Sequence, residues 1–262
     1  AARGRELESV LAAARAALET REREATALET RLYAMRGKGV GGLADPRARD
    51  ADAQLRDASR EREKARREHA RLEKERRDAR SGEAVAIGGL GSAYNRLGQH
   101  GKAVEKHGDA LKICKELGDR EGEGVQKSDL GRAHRGLGQF NEAIQAQQGA
   151  LAISRELGDR EGEASRLSQL GDAYDGAGRH KNAVACHWAA LRISRERADR
   201  PAEGRDMSNL GVAYRNLGQY DKAIASHEAS LAIKREIGDR KGEGADLGNL
   251  GSAYQSLGQY DK

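Results

Sequence analysis

The sequence predicts an all-α protein that contains a solenoid of stacked helix pairs. Only two prolines interrupt 262 residues, and 34% of the residues are charged while 3% are aromatic, a composition that suits thin local cores. The motif Leu-Gly-x-Ala-Tyr recurs with a period of 40 residues and begins at Leu90, Leu170, Leu210 and Leu250. A further copy of the motif begins at Leu130 and has His134 in place of the tyrosine. A fixed period of this size indicates helical units that each bury an apolar face against the next unit.

The first helix predicted along the chain covers residues 1–36 and carries apolar side chains at heptad spacing. A single helix cannot bury such a stripe, so we expect a coiled coil with a partner helix from the same chain or from another. The predicted seam consists of Leu7, Leu11, Leu18, Leu28, Leu32 and Met35.

A glycine-rich stretch at residues 37–46, ending in Pro46, breaks this helix. A second helix is predicted from Arg47 to Arg80, with a weaker apolar seam. The two helices could fold back as an antiparallel hairpin, or each could pack on a different protein. We therefore assign residues 1–80 to a segment of long helices and residues 81–262 to the repeat array.

Net charge is confined to the first segment. Residues 1–80 contain 21 Lys/Arg and 16 Asp/Glu, whereas residues 81–262 contain 26 of each. The positive charges alternate with negative ones in pairs such as Glu63 and Arg67, and no aromatic residues lie between them. This pattern favours a solvated helix over a nucleic-acid partner.

The fourth repeat illustrates why each position has its residue type. Leu210, Ala213, Tyr214 and Leu217 share one face of a helix. Gly218 suits the left-handed conformation that ends a helix. The Gly-Asp pairs that follow each second helix end that helix and cap the next one; they occur at Gly118-Asp119, Gly158-Asp159 and Gly238-Asp239.

This pattern resembles the tetratricopeptide repeat. The matching features are a Leu-Gly pair and a tyrosine in the first helix, a Leu-Gly turn with an aromatic residue after it, and a small alanine, Ala223, in the second helix. The resemblance covers residues 81–262, as four full units and a truncated fifth, whose exposed end we expect to be covered by further chain or by a partner. The 40-residue unit is similar to that of the Pins and LGN adaptors. Kinesin light chain also combines heptads with long repeats of this family, although the sequence of its turns differs. The resemblance implies a right-handed superhelix that binds other proteins.

In that family the first helix of each unit lines a concave groove. Carried onto this chain, the family pattern predicts a partner-binding site at Asp129, Arg132, Arg135, Asp172, Asp175, Asn209, Arg215, Asn249 and Gln255. The three arginines could hold an acidic extended peptide or helix through charge-assisted hydrogen bonds. Asn209 and Asn249 match the family asparagine that can bond a peptide backbone, whereas the two aspartates of the third unit argue against a uniformly basic groove.

The third unit departs most from the pattern. Ala177 replaces the leucine of its first turn, and Arg197 and Ala198 replace the apolar residue and glycine of its closing turn. Pro201 follows near the start of the next helix. We expect the thinnest local core in this unit.

No pattern in the sequence indicates catalysis, a metal or a cofactor. His107, His187 and His227 are 40 residues apart, so they lie in successive layers and not around one ion. Cys114 and Cys186 have no metal or redox spacing, which favours free thiols in a reducing intracellular compartment. No apolar run reaches the roughly 20 residues of a membrane helix.

The sequence therefore favours a non-enzymatic scaffold or adaptor that holds other proteins in a larger assembly. Two alternatives remain at this level. The array could regulate a larger signalling protein, or it could be a purely structural subunit of a large complex.

Overall fold

The computed structural model describes residues 2–37 and 46–258, which contain only helices and their connections. By contacts between Cα atoms, the chain divides into two compact units, Ala1–Gly82 and Glu83–Lys262. The helices are α1 (Ala2–Gly37), α2 (Pro46–Arg96), α3 (His100–Leu117), α4 (Arg120–Gly136), α5 (Phe140–Glu156), α6 (Arg160–Gly176), α7 (His180–Glu196), α8 (Arg200–Asn216), α9 (Tyr220–Glu236) and α10 (Arg240–Ser256).

The first unit is a helical hairpin. Arg66 Nη2 of α2 lies 2.7 Å from Glu22 Oε1 of α1, and Arg76 Nη2 lies 3.8 Å from Glu8 Oε1. The later residue on α2 pairs with the earlier one on α1, so the two helices run antiparallel. The partner helix that the heptad stripe requires is therefore supplied by α2 of the same chain.

The predicted seam follows the least exposed side of α1. Leu32 is buried, and the other five predicted seam residues are half-buried, while Ala25 on the same stripe is fully buried. Leu72 of α2 is also buried. The predicted break at residues 37–46 falls between the end of α1 at Gly37 and the start of α2 at Pro46, and residues 38–45 lie outside the described part of the chain.

The predicted end of the second helix at Arg80 is wrong, because α2 continues to Arg96. Its last part is the first helix of the first repeat. Four glycines lie in this stretch, but each costs a helix only about 1 kcal/mol, and there is no proline. The helix ends where Gly98 adopts a left-handed φ of 70°.

The second unit stacks helix pairs in sequence order. We call α4, α6, α8 and α10 the first helices of repeats two to five, and α3, α5, α7 and α9 the second helices of repeats one to four. Each first helix contacts the next first helix, α4 with α6, α6 with α8 and α8 with α10, whereas no two of the second helices α5, α7 and α9 lie that close. The first helices therefore form the inner face of the array.

Aspartates cap the first helices. The side chains of Asp119, Asp159 and Asp239 each accept a hydrogen bond from the backbone N–H three residues later, and Asp199 does the same for Ala202. These caps satisfy N–H groups that the start of a helix leaves open. The repeated Gly-Asp pair is thus explained as a turn followed by a cap.

The glycine of the repeated Leu-Gly pair in the first helix leaves space for a buried side chain of the second helix. A Cβ atom at Gly211 would come within 2.5 Å of the His227 ring, and one at Gly171 would come equally close to His187. In repeat two, Gln147 occupies the space beside Gly131. The repeated histidines are therefore packed interior residues, as their spacing indicates.

The thin core expected in the third repeat is a wrong prediction. A cluster of buried apolar residues runs through repeats two and three and includes Leu167, Leu170 and Ile193, with Ala177 packed against it. Arg197 and Ala198 of the closing turn lie outside this cluster, whereas Ala177 packs against it, so the alanine in place of a leucine still contributes to the local core.

Candidate functional site

The nine residues predicted to line the groove lie on the first helices, three on α4 and two each on α6, α8 and α10. This placement puts them on the inner face, where neighbouring first helices are closest. The structure joins several of these residues to one another, while others have no side-chain hydrogen bond or ion pair with the residues it describes.

In the second repeat, Asp129 and Arg132 form an ion pair within one helix. Arg132 Nη2 lies 2.7 Å from Asp129 Oδ1, and Ser92 Oγ of the preceding repeat donates to Asp129 Oδ2 at 3.3 Å. The carboxylate is mostly buried while the guanidinium is exposed. Arg132 can therefore keep its internal partner while it offers further N–H donors to a ligand.

Arg135 and Asp172 connect the second and third repeats. Arg135 Nη1 lies 2.7 Å from Asp172 Oδ2, across a separation of 37 residues. Burial raises the pKa of the Asp172 carboxyl, and the pairing with Arg135 counteracts only part of that rise. This pair spans two layers of the inner face.

Asp175 is used inside its own repeat. His180 Nδ1 lies 2.7 Å from Asp175 Oδ1, which joins the end of α6 to the start of α7. The Asp175 side chain is largely buried. It contributes to the turn of the repeat more than to the open surface.

The polar residues of repeats four and five are less engaged. Asn209 Nδ2 donates to Ser168 Oγ at 3.2 Å. Arg215, Asn249 and Gln255 have no side-chain hydrogen bond or ion pair to any residue in the described part of the chain. These three side chains have donors and acceptors available for another molecule.

A pocket of about 490 Å³ opens on the inner face between α6 and α8. Asp172 and Asn209, two of the predicted groove residues, line it. So does Asp206, a carboxylate that is 4% exposed and accepts a hydrogen bond from Ser194 Oγ at 2.7 Å. Burial raises the pKa of Asp206 to about 6, although hydrogen bonds from Ser194 and Ser168 favour its ionised form.

Sequence reasoning missed Asp206. The signal was present, because the same repeat position holds Gln126, Arg166, Asp206 and Asp246 at 40-residue spacing. This position faces the second helix of the preceding repeat, so polar residues there indicate a row of polar side chains inside the array. Three members of this interior polar row, Gln126, Asp206 and Asp246, are buried.

Cys114 is buried and Cys186 is half-buried, both as free thiols, and burial raises the pKa of Cys186 to about 11. Within residues 2–37 and 46–258, no group of three or more metal-ligating side chains comes together. No helix in those ranges is long and apolar enough to cross a membrane.

Stacked helix pairs with a repeated turn, a shared inner face and a polar interior row define an α-helical repeat protein of the interaction-module class. Family profiles described as tetratricopeptide repeat match residues 86–121, 125–196 and 205–262, which together are more than half of the chain. The chain belongs to the tetratricopeptide repeat family. No curated protein matches its sequence.

Solved structures share the fold. The kinesin light chain-like repeats of Podosopora anserina are 23% identical, with a TM-score of 0.59 over 68% of this chain and 89% of that one. BtubC from P. vanneervenii is 23% identical, with a TM-score of 0.56 over 88% of this chain and 92% of that one. A Rap protein complexed with Competence and Sporulation Factor is 12% identical, with a TM-score of 0.61 over 98% of this chain and 73% of that one. At these identities the likeness concerns the fold.

Proposed function

We propose that this protein is a non-catalytic scaffold or adaptor whose inner face binds an extended peptide of a partner protein. The observation that carries the proposal is a set of polar side chains on α8 and α10, Arg215, Asn249 and Gln255, beside the pocket between α6 and α8. None of the three forms a side-chain hydrogen bond or ion pair within residues 2–37 and 46–258. Side chains with open hydrogen-bonding capacity on a preformed concave surface are typical of ligand sites. The Rap structure is described in complex with a factor, which supports a ligand-holding role for this fold.

The charge of the inner face favours an acidic segment near repeat four. Arg215 has a guanidinium without an internal carboxylate among the described residues, whereas Arg132 and Arg135 each have one. An acidic side chain of the peptide would gain charge-assisted hydrogen bonds from Arg215 without breaking a pair of this chain. Asn209 and Asn249 would bond the peptide backbone.

The hairpin of the first unit completes the scaffold. Its two faces away from the seam carry mixed charge, with exposed pairs such as Arg67 and Glu63 at 2.9 Å. Tyr33 is 82% exposed on α1. We infer that this hairpin docks on further proteins, and that the repeat units are of the 40-residue type found in the Pins and LGN adaptors.

The test uses the full chain and an array of synthetic twelve-residue peptides of random sequence. Arg215→Glu should lose at least tenfold in affinity for the acidic peptides that the unchanged protein selects. Arg192→Glu is the matched control, because Arg192 is an exposed arginine of the second helix α7, on the other side of the repeat. Unchanged binding by Arg215→Glu, or equal losses in both variants, would reject the inner face as the site.

A further inference from the structure

The interior polar row reaches two aspartates at equivalent places in successive repeats. Asp206 on α8 and Asp246 on α10 are 40 residues apart, and both are buried, at 4% and 0% exposure. Each faces the second helix of the preceding repeat. The two sites differ in what that helix provides.

At the junction of repeats four and five, the chain supplies its own cation. Lys234 of α9 places Nζ 2.8 Å from Asp246 Oδ2, and Ser208 Oγ donates to Asp246 Oδ1 at 2.6 Å. Lys234 is itself buried. A buried carboxylate that is paired and hydrogen-bonded in this way is compensated for its loss of water.

At the junction of repeats three and four, the cation is missing. The residue equivalent to Lys234 is Ser194, whose hydroxyl donates to Asp206 at 2.7 Å. No cationic side chain in the described part of the chain forms an ion pair with Asp206, and the neighbouring Arg205 is exposed. Burial raises the pKa of Asp206 to about 6, and the hydrogen bond from Ser194 and the charge of Arg205 oppose only part of that rise.

The pocket of about 490 Å³ between α6 and α8 lies beside this carboxylate. Arg205 also lines the pocket; it is exposed, forms no ion pair with a residue of the described part of the chain, and its charge favours the ionised form of Asp206. The other charged groups of the pocket are engaged within the chain. Arg197 pairs with Glu161 at 2.6 Å, and Asp199 caps α8 through the N–H of Ala202 at 3.0 Å. Asp172 pairs with Arg135, and Lys234, which also lines the pocket, pairs with Asp246. Among the carboxylates that line the pocket, Asp206 is therefore the one that neither forms an ion pair with a described residue nor caps a helix.

We propose that this pocket binds the ammonium group of a lysine side chain from the peptide on the inner face, seated against Asp206 as Lys234 is seated against Asp246. The inference rests on the proposed function and adds to it a residue of the ligand. An ammonium group has three N–H donors. Besides the carboxylate, the side-chain oxygens of Ser168 and Asn209 line the pocket, whereas Gln169 Oε1 already accepts hydrogen bonds from Ser128 and Gln147.

Two variants test the pocket in the full chain. Asp206→Asn removes the charge and keeps the size of the side chain. Ser194→Lys places a lysine where Lys234 stands one repeat later, so that the chain itself occupies the site. Thermal unfolding monitors that both variants are folded.

The same random peptide array provides the probe. We expect the unchanged protein to select peptides enriched in lysine, and we expect both variants to lose that enrichment. For the strongest peptide, replacing its lysine by norleucine should weaken binding at least tenfold to the unchanged protein and less than twofold to Asp206→Asn.

The outcomes separate the pocket from the inner face as a whole. Three results would overturn the lysine site and leave the peptide-binding face standing. The selected peptides could show no lysine enrichment, they could carry arginine in its place, or they could bind both variants as tightly as they bind the unchanged protein. If the unchanged protein selects no peptide at all, the proposed function fails and the lysine site fails with it.

Discussion

Lys234 and Asp246 form a buried ion pair that links α9 to α10, with 2.8 Å between Nζ and Oδ2. Burial by itself would raise the pKa of the Asp246 carboxyl, but the nearby His227 and Lys234 side chains and the hydrogen bond from Ser208 hold that pKa below its ordinary range. Because both partners come from adjacent repeats, the pair fixes how the fifth layer stacks on the fourth. Replacing one partner leaves a buried charge, which is more costly than replacing both.

Lys234→Met should therefore destabilise the protein by about 3–5 kcal/mol, because it leaves Asp246 buried without its cation. The double variant Lys234→Met/Asp246→Leu should recover most of that loss. Urea unfolding followed by circular dichroism measures both values.

Lys181→Met is the control for this comparison, because Lys181 is an exposed residue of α7 and its replacement should change stability by no more than about 0.5 kcal/mol. A double variant as unstable as Lys234→Met would contradict the ion-pair argument, since its interior would then contain no unpaired charge.

The repeat fold was predictable because the constraint is local and recurs. Leu210, Gly211 and Ala213 are buried in the fourth repeat, and Leu250 and Ala253 are buried at the same positions of the fifth. The end of α2 was not predictable from its glycines, because the tertiary packing of the first repeat outweighs their weak helix propensity.

The partners on the inner face were less accessible to sequence reasoning. Arg135 pairs with Asp172 at an offset of 37 residues, not 40, so the contact depends on the stagger between neighbouring first helices. Ser194 opposite Asp206 has a clearer sequence signal, since Lys234 stands at the equivalent position opposite Asp246. A comparison of interior polar positions between repeats would therefore have singled out Asp206 from the sequence alone.

Asp206→Asn should stabilise the protein at neutral pH. The carboxyl has a pKa of about 6 when folded, above the ordinary value of 3.8, so the folded state binds its proton more tightly than the unfolded state does. Stability therefore falls as the pH rises from about 4 to about 6, and the loss at pH 7 reaches at most about 3 kcal/mol.

Asparagine carries no charge at either pH, so the advantage of Asp206→Asn should be present at pH 7 and absent near pH 4. Urea unfolding at both pH values measures it. Asp109→Asn serves as the control, because the Asp109 side chain is 55% exposed and its charge is hydrated. An equal advantage at both pH values would show that the charge of Asp206 is not the cause.

His187→Gln should make the protein less sensitive to acid. Burial lowers the pKa of His187 to about 4, below the ordinary value of 6.5. The unfolded state therefore binds this proton more tightly, and stability is lost as the pH falls from about 6.5 to about 4, by up to about 3 kcal/mol.

Glutamine fits this position, because Gln147 occupies it in the second repeat beside Gly131. The difference in stability between pH 7 and pH 4.5 should be smaller in His187→Gln than in the unchanged protein. Denaturant unfolding at the two pH values provides the comparison. If the difference is the same in both proteins, proton uptake by His187 does not drive the acid sensitivity.

Ala198→Gly should stabilise the turn between repeats three and four. Ala198 has a φ of 54°, whereas Gly158 and Gly238 occupy the equivalent turns at 68° and 73°. A left-handed conformation costs a residue with a Cβ atom about 1–2 kcal/mol, and the greater freedom of glycine in the unfolded chain offsets part of the gain. We expect a net stabilisation of about 0.5–1 kcal/mol.

Gly238→Ala makes the reverse exchange at the equivalent turn of the fourth repeat and should destabilise the protein by a similar amount. Thermal and urea unfolding of both variants measure the two effects under one set of conditions. Because the two turns share their backbone geometry, the two substitutions must change the free energy of unfolding in opposite directions if φ is the cause. A loss of stability in both variants would mean that the methyl group of Ala198 makes contacts worth more than the strain it imposes.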